Sequence, residues 1–335
     1  MYKFETNKRR INWLYKSYCN TEDYSTEEFI RLINEYYYKH SAGLYKSRYI
    51  RDIEDQYVKM FKKLGLHERK VELNIVNIGA GQGFEYHQFQ KNNVYFNRYY
   101  FVEPDSSMID IFKTRIADNR LELINKLFTR TLADDFQSLE NKVIVMNSCL
   151  HHFIRIDDFL NLIKSTMSEG DTFVLSHEPN NSYSESLLRY PVYFIKLFFS
   201  LSVFYKIGLL KNNETILSTE RWKKINADLV KIGILKRDVR PLVIRRIIDY
   251  GVNTKNDWKL LNIPASHNEG HWTPKTIIDF FGEQFTVKHF STYRHFGDSN
   301  GNPVLAFLNY VSSNVFHRSK KGSVFNIVLE KRSSN

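Results

Sequence analysis

The spacing of apolar positions divides the chain into stretches of different character. Over the first 70 residues the pattern is helical. Ser25 and Glu28 have capping-box spacing and lead into Phe29, Leu32, Ile33 and Tyr36 on one face. A second helix is predicted from about Ser47, with Ile50, Ile53, Tyr57, Phe61 and Leu64 at helical intervals and Gly65 as its stop. The pattern then changes. An apolar run from Val71 to Ile78 enters Gly79-Ala80-Gly81-Gln82-Gly83, and a helix carrying Phe84 and Phe89 follows. Arg98 to Val102 reads as a second strand that ends at Glu103-Pro104-Asp105. Asp105 or Ser106 then caps a helix bearing Met108, Ile111 and Phe112. Leu127 to Leu132 is predicted as a third strand, Val143 to Met146 as a fourth and Thr172 to Ser176 as a fifth. A helix starting at Asp157 separates the last two. Residues 181–270 are helical, aromatic and basic, without strand alternation. Strands return at Phe285 to Ser291 and at Val324 to Glu330.

Strands alternating with helices predict right-handed crossovers and an open parallel sheet. The expected organisation is an N-terminal helical region over 1–70, a sheet core over 71–180 and 271–335, and a helical lid inserted over 181–270 between the fifth and sixth strands. Open parallel sheets bind ligands beyond the carboxyl ends of their strands. Those ends are expected at Gly79–Gly83, Glu103, Leu132–Asp135, Asn147–His152 and His177–Asn180, where the polar and glycine clusters of the first 180 residues fall.

Composition narrows the class. Of the 335 residues, 42% are hydrophobic and 25% are charged, enough apolar material for a core and against disorder. Lys plus Arg exceeds Asp plus Glu by 48 to 37, giving a net charge of +11. That excess favours anionic partners, but no block of five like charges concentrates it. Two cysteines, Cys19 and Cys149, cannot build a disulfide framework. No run reaches the roughly 18 apolar residues of a membrane span, and the first residues lack the apolar stretch of a signal peptide. A cytoplasmic setting is expected. The aromatic segment 187–210 is interrupted by Arg189, Lys196 and Lys206. It reads as a core helix of the lid, a hydrophobic pocket wall, or a peripheral membrane contact.

The strand–Gly79-x-Gly81-x-Gly83–helix unit lets the backbone approach a ligand closely and offers helix N–H groups. A dinucleotide fingerprint would need glycine at position 84, which is Phe84. The G-x-G-x-G form, with Glu103 about twenty residues on, resembles class I S-adenosylmethionine-dependent methyltransferases. The likeness rests on Val76–Gly83, Phe101–Met108, Val143–His152 and Met167–Phe173, in that order, and covers roughly 71–180 and the two late strands. It implies a Rossmann-like, seven-stranded, mostly parallel sheet with helices on both faces and an antiparallel last strand. It also implies S-adenosylmethionine as cofactor. Gly79, Gly81 and Gly83 would line its methionine and ribose, with Ala80 and Asn147 beside them. Glu103 would take both ribose hydroxyls, with Pro104 following it. Met108 and Leu132 would flank the adenine. The family usually carries an acid two places before the first glycine; here that residue is Asn77, which can hydrogen-bond but brings no charge.

Methyl transfer from a sulfonium needs alignment and, for a hydroxyl or ammonium acceptor, a general base. His151 and His152 follow the fourth strand, and His177-Glu178 follow the fifth. The arrangement is similar to small-molecule O-methyltransferases with a Leu-His-His motif. It implies His151 or His152 as base and Glu178 as its orienter. His271, in His267-Asn268-Glu269-Gly270-His271-Trp272, is a candidate acceptor-binding residue or part of a solvated loop. No H-x-x-x-H or C-x-x-C spacing supports a metal. Cys149 lacks the preceding proline of cytosine C5-methyltransferases and reads as a small buried residue. Asn147 lacks the Pro-Pro-aromatic of enzymes that methylate base amines. Both absences count against nucleic acid. The expected function is methylation of a small or medium-sized metabolite, on oxygen before nitrogen, such as a natural-product intermediate or a glycan unit. The alternatives are an RNA or DNA methyltransferase and a cofactor-binding protein whose catalysis has lapsed.

Overall fold

The structure is a computed structural model. It describes residues 17–20, 32, 50–66, 72–153, 156–180, 223–239, 273–296, 303–316 and 320–333. The capping box at Ser25 and Glu28, the segment 187–210, and the cluster 267–272 with His271 lie outside the described residues. The chain divides into two compact units. One joins Met1–Tyr45 with Pro191–His271, and the other joins Lys46–Tyr190 with Trp272–Asn335.

In the first unit a short antiparallel bridge ties Cys19 to Leu235. The amide of Asn20 donates to the Ile234 carbonyl at 2.9 Å, and that of Lys236 donates to Tyr18 at 2.9 Å. Residues 223–231 form a helix that buries Ile225 and Leu229. Burial pushes the Cys19 thiol up to about 12, so it stays protonated.

The second unit is a seven-stranded sheet with helices on both faces. In chain order it contains α1 (Ile50–Leu64), β1 (Asn74–Ile78), α2 (Phe84–Lys91), β2 (Arg98–Val102), α3 (Ser106–Lys113), β3 (Leu121–Ile124), α4 (Arg130–Gln137), β4 (Lys142–Asn147), α5 (Ile156–Thr166), β5 (Thr172–Pro179), α6 (Pro274–Phe281), β6 (Phe285–Tyr293), α7 (Pro303–Val315) and β7 (Val324–Lys331). The strand order is β3-β2-β1-β4-β5-β7-β6. β1 to β5 run parallel, whereas β7 pairs antiparallel with both β5 and β6. The order reverses between β1 and β4, and that switch point is where such sheets leave a crevice.

Each strand side chain alternates between two cores. Val143 and Val145 face α1, α2 and α3, packing with Tyr57, Phe61, Phe89 and Phe112. Ile144 and Met146 face α4, α5 and α6, packing with Phe136, Leu160 and Phe281. At the amino end of β4, Lys142 and Asp171 form a buried ion pair at 2.8 Å. Asp171 also accepts from the amides of Lys142 and Ser168.

Two expectations are corrected. The third strand is Leu121–Ile124, not Leu127 to Leu132. It is an edge strand with three half-buried residues and one exposed, so its alternation is weak. Residues 130–137 are helical and bury Leu132, Ala133 and Phe136 on one face, so Leu132–Asp135 is not a strand end. The fifth strand runs on to Pro179, which puts His177 and Glu178 inside it. Among the described residues no helix is long and apolar enough to cross a membrane.

Candidate active site

The turn after β1 is latched to the end of β2. The amides of Gly79 and Ala80 both donate to the Val102 carbonyl, at 2.9 and 3.2 Å. The Gly81 amide donates to Glu103 Oε2 at 2.8 Å, and the Asp105 amide donates to Glu103 Oε1 at 3.0 Å. Asp105 caps α3 by accepting from the Ser107 amide at 2.9 Å. The glycine turn and the carboxylate at 103 therefore meet.

Gly81 and Gly83 both hold positive φ in this turn but face different surroundings. Gly83 caps α2 at φ +82°, and a Cβ there would lie 2.2 Å from the Phe112 ring. Gly81, at φ +54°, faces open space, with no atom within 4 Å of where a Cβ would stand. The open side of the turn is thus beside Glu103. Burial raises the pKa of Glu103, and the two amides it accepts from oppose that rise. Pro104 is exposed, and its carbonyl and that of Glu103 are both held by Asn125. Met108 and Leu132 are buried, in α3 and α4 respectively.

Beneath the turn lies a polar cluster that joins Asn77 and Asn147 to Glu85, an acid the sequence analysis does not single out. Asn77 is fully buried. Its Nδ2 donates to Glu85 Oε2 at 3.0 Å and to the Tyr99 hydroxyl at 2.9 Å, while its Oδ1 has no hydrogen-bond partner. Glu85 is 2% exposed. It also bonds with the Asn147 side chain, and burial lifts its pKa to about 7. Asn147 Oδ1 accepts from Ser176 Oγ at 2.9 Å, and Ser176 meets the Tyr57 hydroxyl at 2.7 Å. The cluster thus spans α1, α2, β1, β2, β4 and β5. One signal for Glu85 was available: it stands four residues before the core residue Phe89, on the inward face of α2.

A third group closes the crevice beyond β4. Glu178 Oε1 accepts from the amides of Cys149 and Leu150 at 2.7 and 2.8 Å. Its Oε2 accepts from the His151 amide at 3.3 Å and lies 3.0 Å from His151 Nδ1. One carboxylate thus holds both the 3-10 turn Leu150–His152 and the imidazole within it. The His152 side chain lies outside the described residues. Cys149 is a half-buried, free thiol donating to the Ile78 carbonyl at 3.2 Å. Burial, then the carboxylates Glu178, Glu85 and Glu103, hold its pKa well above the ordinary range, so it is a neutral filler.

His177 and Glu178 are neighbours with separate surroundings. A register shift between Leu175 and Glu178 places His177 at φ +53°. Its Nδ1 meets the Tyr293 hydroxyl, and Arg294 Nη1 lies 3.3 Å from its Nε2. Arg294 is clamped by both carboxylate oxygens of Asp52, at 2.5 and 3.0 Å. Burial, then Arg294 and His151, hold the His177 pKa well below the usual imidazole range. His177 is therefore neutral at pH 7, a braced structural residue at this edge.

Among the described residues no group of three or more His, Cys, Asp or Glu is placed to hold a metal ion. Neither Glu85 nor Glu103 has a Lys or Arg partner among them. Three buried carboxylates thus gather at one edge of a chain whose net charge is +11.

No family model matches the sequence, and no curated protein matches it. Solved structures give distant likenesses. The plantazolicin methyltransferase BamL, solved with a triazolic desmethylPZN analogue and SAH, is 11% identical. That match covers 99% of this chain and 97% of that one at a TM-score of 0.43. An S-adenosylmethionine-dependent methyltransferase described as putative in its source, from Listeria monocytogenes, is 10% identical. It covers 83% of this chain and 99% of that one at a TM-score of 0.41. Another from Mesorhizobium loti is 12% identical over 83% of this chain and all of that one, also at 0.41. Likenesses this remote leave the fold to be read from the strand order and the site from its own residues.

Proposed function

We propose that the chain is an S-adenosylmethionine-dependent methyltransferase acting on a hydroxyl of a small or medium-sized metabolite. The observation that carries this reading is the Gly81 amide on the Glu103 carboxylate at 2.8 Å, at the switch point of the sheet. A diol fits a carboxylate held in that way, because both hydroxyls can donate to its two oxygens. The open face of Gly81 leaves room for a ligand against the backbone. The acidic lining suits a cation, and the unpartnered Asn77 Oδ1 is an acceptor still to be filled. These residues fit the cofactor.

The cofactor, when bound, supplies a methyl group on a sulfonium centre with a neutral thioether as leaving group. Everything else falls to the chain. Glu103 fixes the ribose end, and the turn Gly79–Gly83 with Ala80 forms the floor. Asn77 and Asn147 line the same floor, while Pro104, Met108 and Leu132 wall the adenine side. Glu178, facing His151 Nδ1, favours the tautomer whose basic lone pair is on Nε2. His151 in that tautomer accepts the proton released by the acceptor hydroxyl. His151 is assigned this role ahead of His152 because Glu178 grips its ring and its amide together.

The test is calorimetry with S-adenosylhomocysteine and, separately, NAD. Binding of the first and not the second is expected. Glu103→Ala should weaken it by about tenfold or more, the worth of a charge-assisted bond. Binding of NAD instead, or equal affinity in Glu103→Ala, overturns the reading.

A further inference from the structure

We infer that Glu85 is a positioning residue that supplies the negative charge holding the cationic amino-acid end of the cofactor. The inference rests on the function proposed above. It starts from an imbalance. A fully enclosed carboxylate normally has a cation or a set of backbone amides as partners. Glu85 instead has the side-chain amides of Asn77 and Asn147 and its own backbone N–H. The titratable groups that face it are Tyr57 from α1, Tyr99 from β2, Glu103 at the end of β2 and Cys149 after β4. None of them is a cation. Two are tyrosines held far above their ordinary range, one is a thiol held likewise, and one is a second acid.

The position of this acid is as telling as its solitude. Asn77 ends in the same cluster, one residue from the end of β1 and two before the first glycine of the turn. Its Nδ2 is spent on Glu85 and Tyr99, and its Oδ1 is a buried acceptor without a donor. A ligand ammonium would satisfy both deficits at once. It would donate to the Asn77 carbonyl oxygen and neutralise the carboxylate on the same amide. The charge absent from position 77 is thus carried by the adjoining helix. Ser176 and Tyr57 brace Asn147 from behind, which fixes the carboxylate's orientation.

Ionised Glu85 binds a cation and protonated Glu85 does not. Its pKa of about 7 therefore makes affinity rise with pH through neutrality.

The experiment compares two probes by calorimetry. S-adenosylhomocysteine carries the ammonium, and 5′-methylthioadenosine shares the nucleoside but lacks the amino-acid end. For Glu85→Gln, a loss of about 10- to 100-fold is expected for the first, as for one hydrogen bond to a charged group. Less than a twofold change is expected for the second, which also shows that the variant is folded. In the native chain, affinity for S-adenosylhomocysteine should climb between pH 6 and 8, and in Glu85→Gln it should be flat. Asn77→Asp added to Glu85→Gln should restore affinity. If the native chain binds both probes and Glu85→Gln weakens both alike or neither, the inference falls and the proposed function stands. If the native chain binds neither probe, both fall.

Discussion

Removing the Glu178 carboxylate tests the organisation of the edge beyond β4 directly. In Glu178→Ala the amides of Cys149 and Leu150 lose acceptors at 2.7 and 2.8 Å, and His151 Nδ1 loses one at 3.0 Å. A hydrogen bond to a charged group contributes about 1.5–3 kcal/mol. The two short amide bonds alone are then worth roughly 3–6 kcal/mol, and water entering beside the half-buried Cys149 returns part of it. A net loss of about 3–4 kcal/mol is expected. At about 2–4 °C per kcal/mol for a domain of some 200 residues, the melting temperature should fall by roughly 10 °C. Glu178→Gln keeps one acceptor oxygen for the two amides and should lose about half as much. Its NH2 group, however, would face His151 Nδ1 and favour the other tautomer. Circular dichroism gives the melting temperatures. Nitrogen-15 spectra of labelled histidine report which ring nitrogen of His151 carries the proton, and they need no acceptor. If Glu178→Ala melts within 2 °C of the native chain and the His151 tautomer is unchanged, Glu178 organises neither the turn nor the ring.

Gly83→Ala would set a methyl group 2.2 Å from the Phe112 ring at φ +82°, and should cost about 2–4 kcal/mol of unfolding free energy, read from the shift of the denaturant midpoint. Phe112→Leu in the same chain should recover part of that loss. Glu85 gives a pH signature to the ligand-free protein. Its pKa is about 7 when folded against an ordinary 4.5, so between those values the folded state holds a proton the unfolded state has released. Stability from this group is therefore lost as pH rises from about 4.5 to about 7, by about 3 kcal/mol in all. Glu85→Gln should flatten that part of the urea-unfolding profile. An unaltered slope would place the titration elsewhere.

The turn at 79–83, the acid at 103 and the cap at Asp105 were legible in the sequence because each is a local signal. Glycines, a strand end and a capping side chain declare themselves within a few residues. Where partners are distant, the local pattern carries no such signal. β3 is hidden because an edge strand half covered by neighbours has no clean alternation, whereas Leu127, Phe128 and Leu132 present apolar positions close by that read as a strand. The expected end of β5 at Ser176 falls short because His177 and Glu178 are polar. Pairing of Glu178 with Phe325 and of Pro179 with Val324 carries it on, and Asn326 satisfies the His177 amide from β7. Glu85 was missed because an acid in a first helical turn ordinarily complements the helix dipole in solvent. Its burial depends on Asn77 and Asn147, which arrive from two different strands.

The double duty of Glu178 bears on how this protein could decay. If the protein has the activity proposed above and selection for turnover were relaxed, most reactive side chains would drift freely. This acid would not, since the backbone after β4 leans on it as heavily as the imidazole does. A descendant with no enzymatic output would keep it simply to stay folded. The histidine it faces is under no such obligation, and its replacement would be the earlier mark of a silent copy.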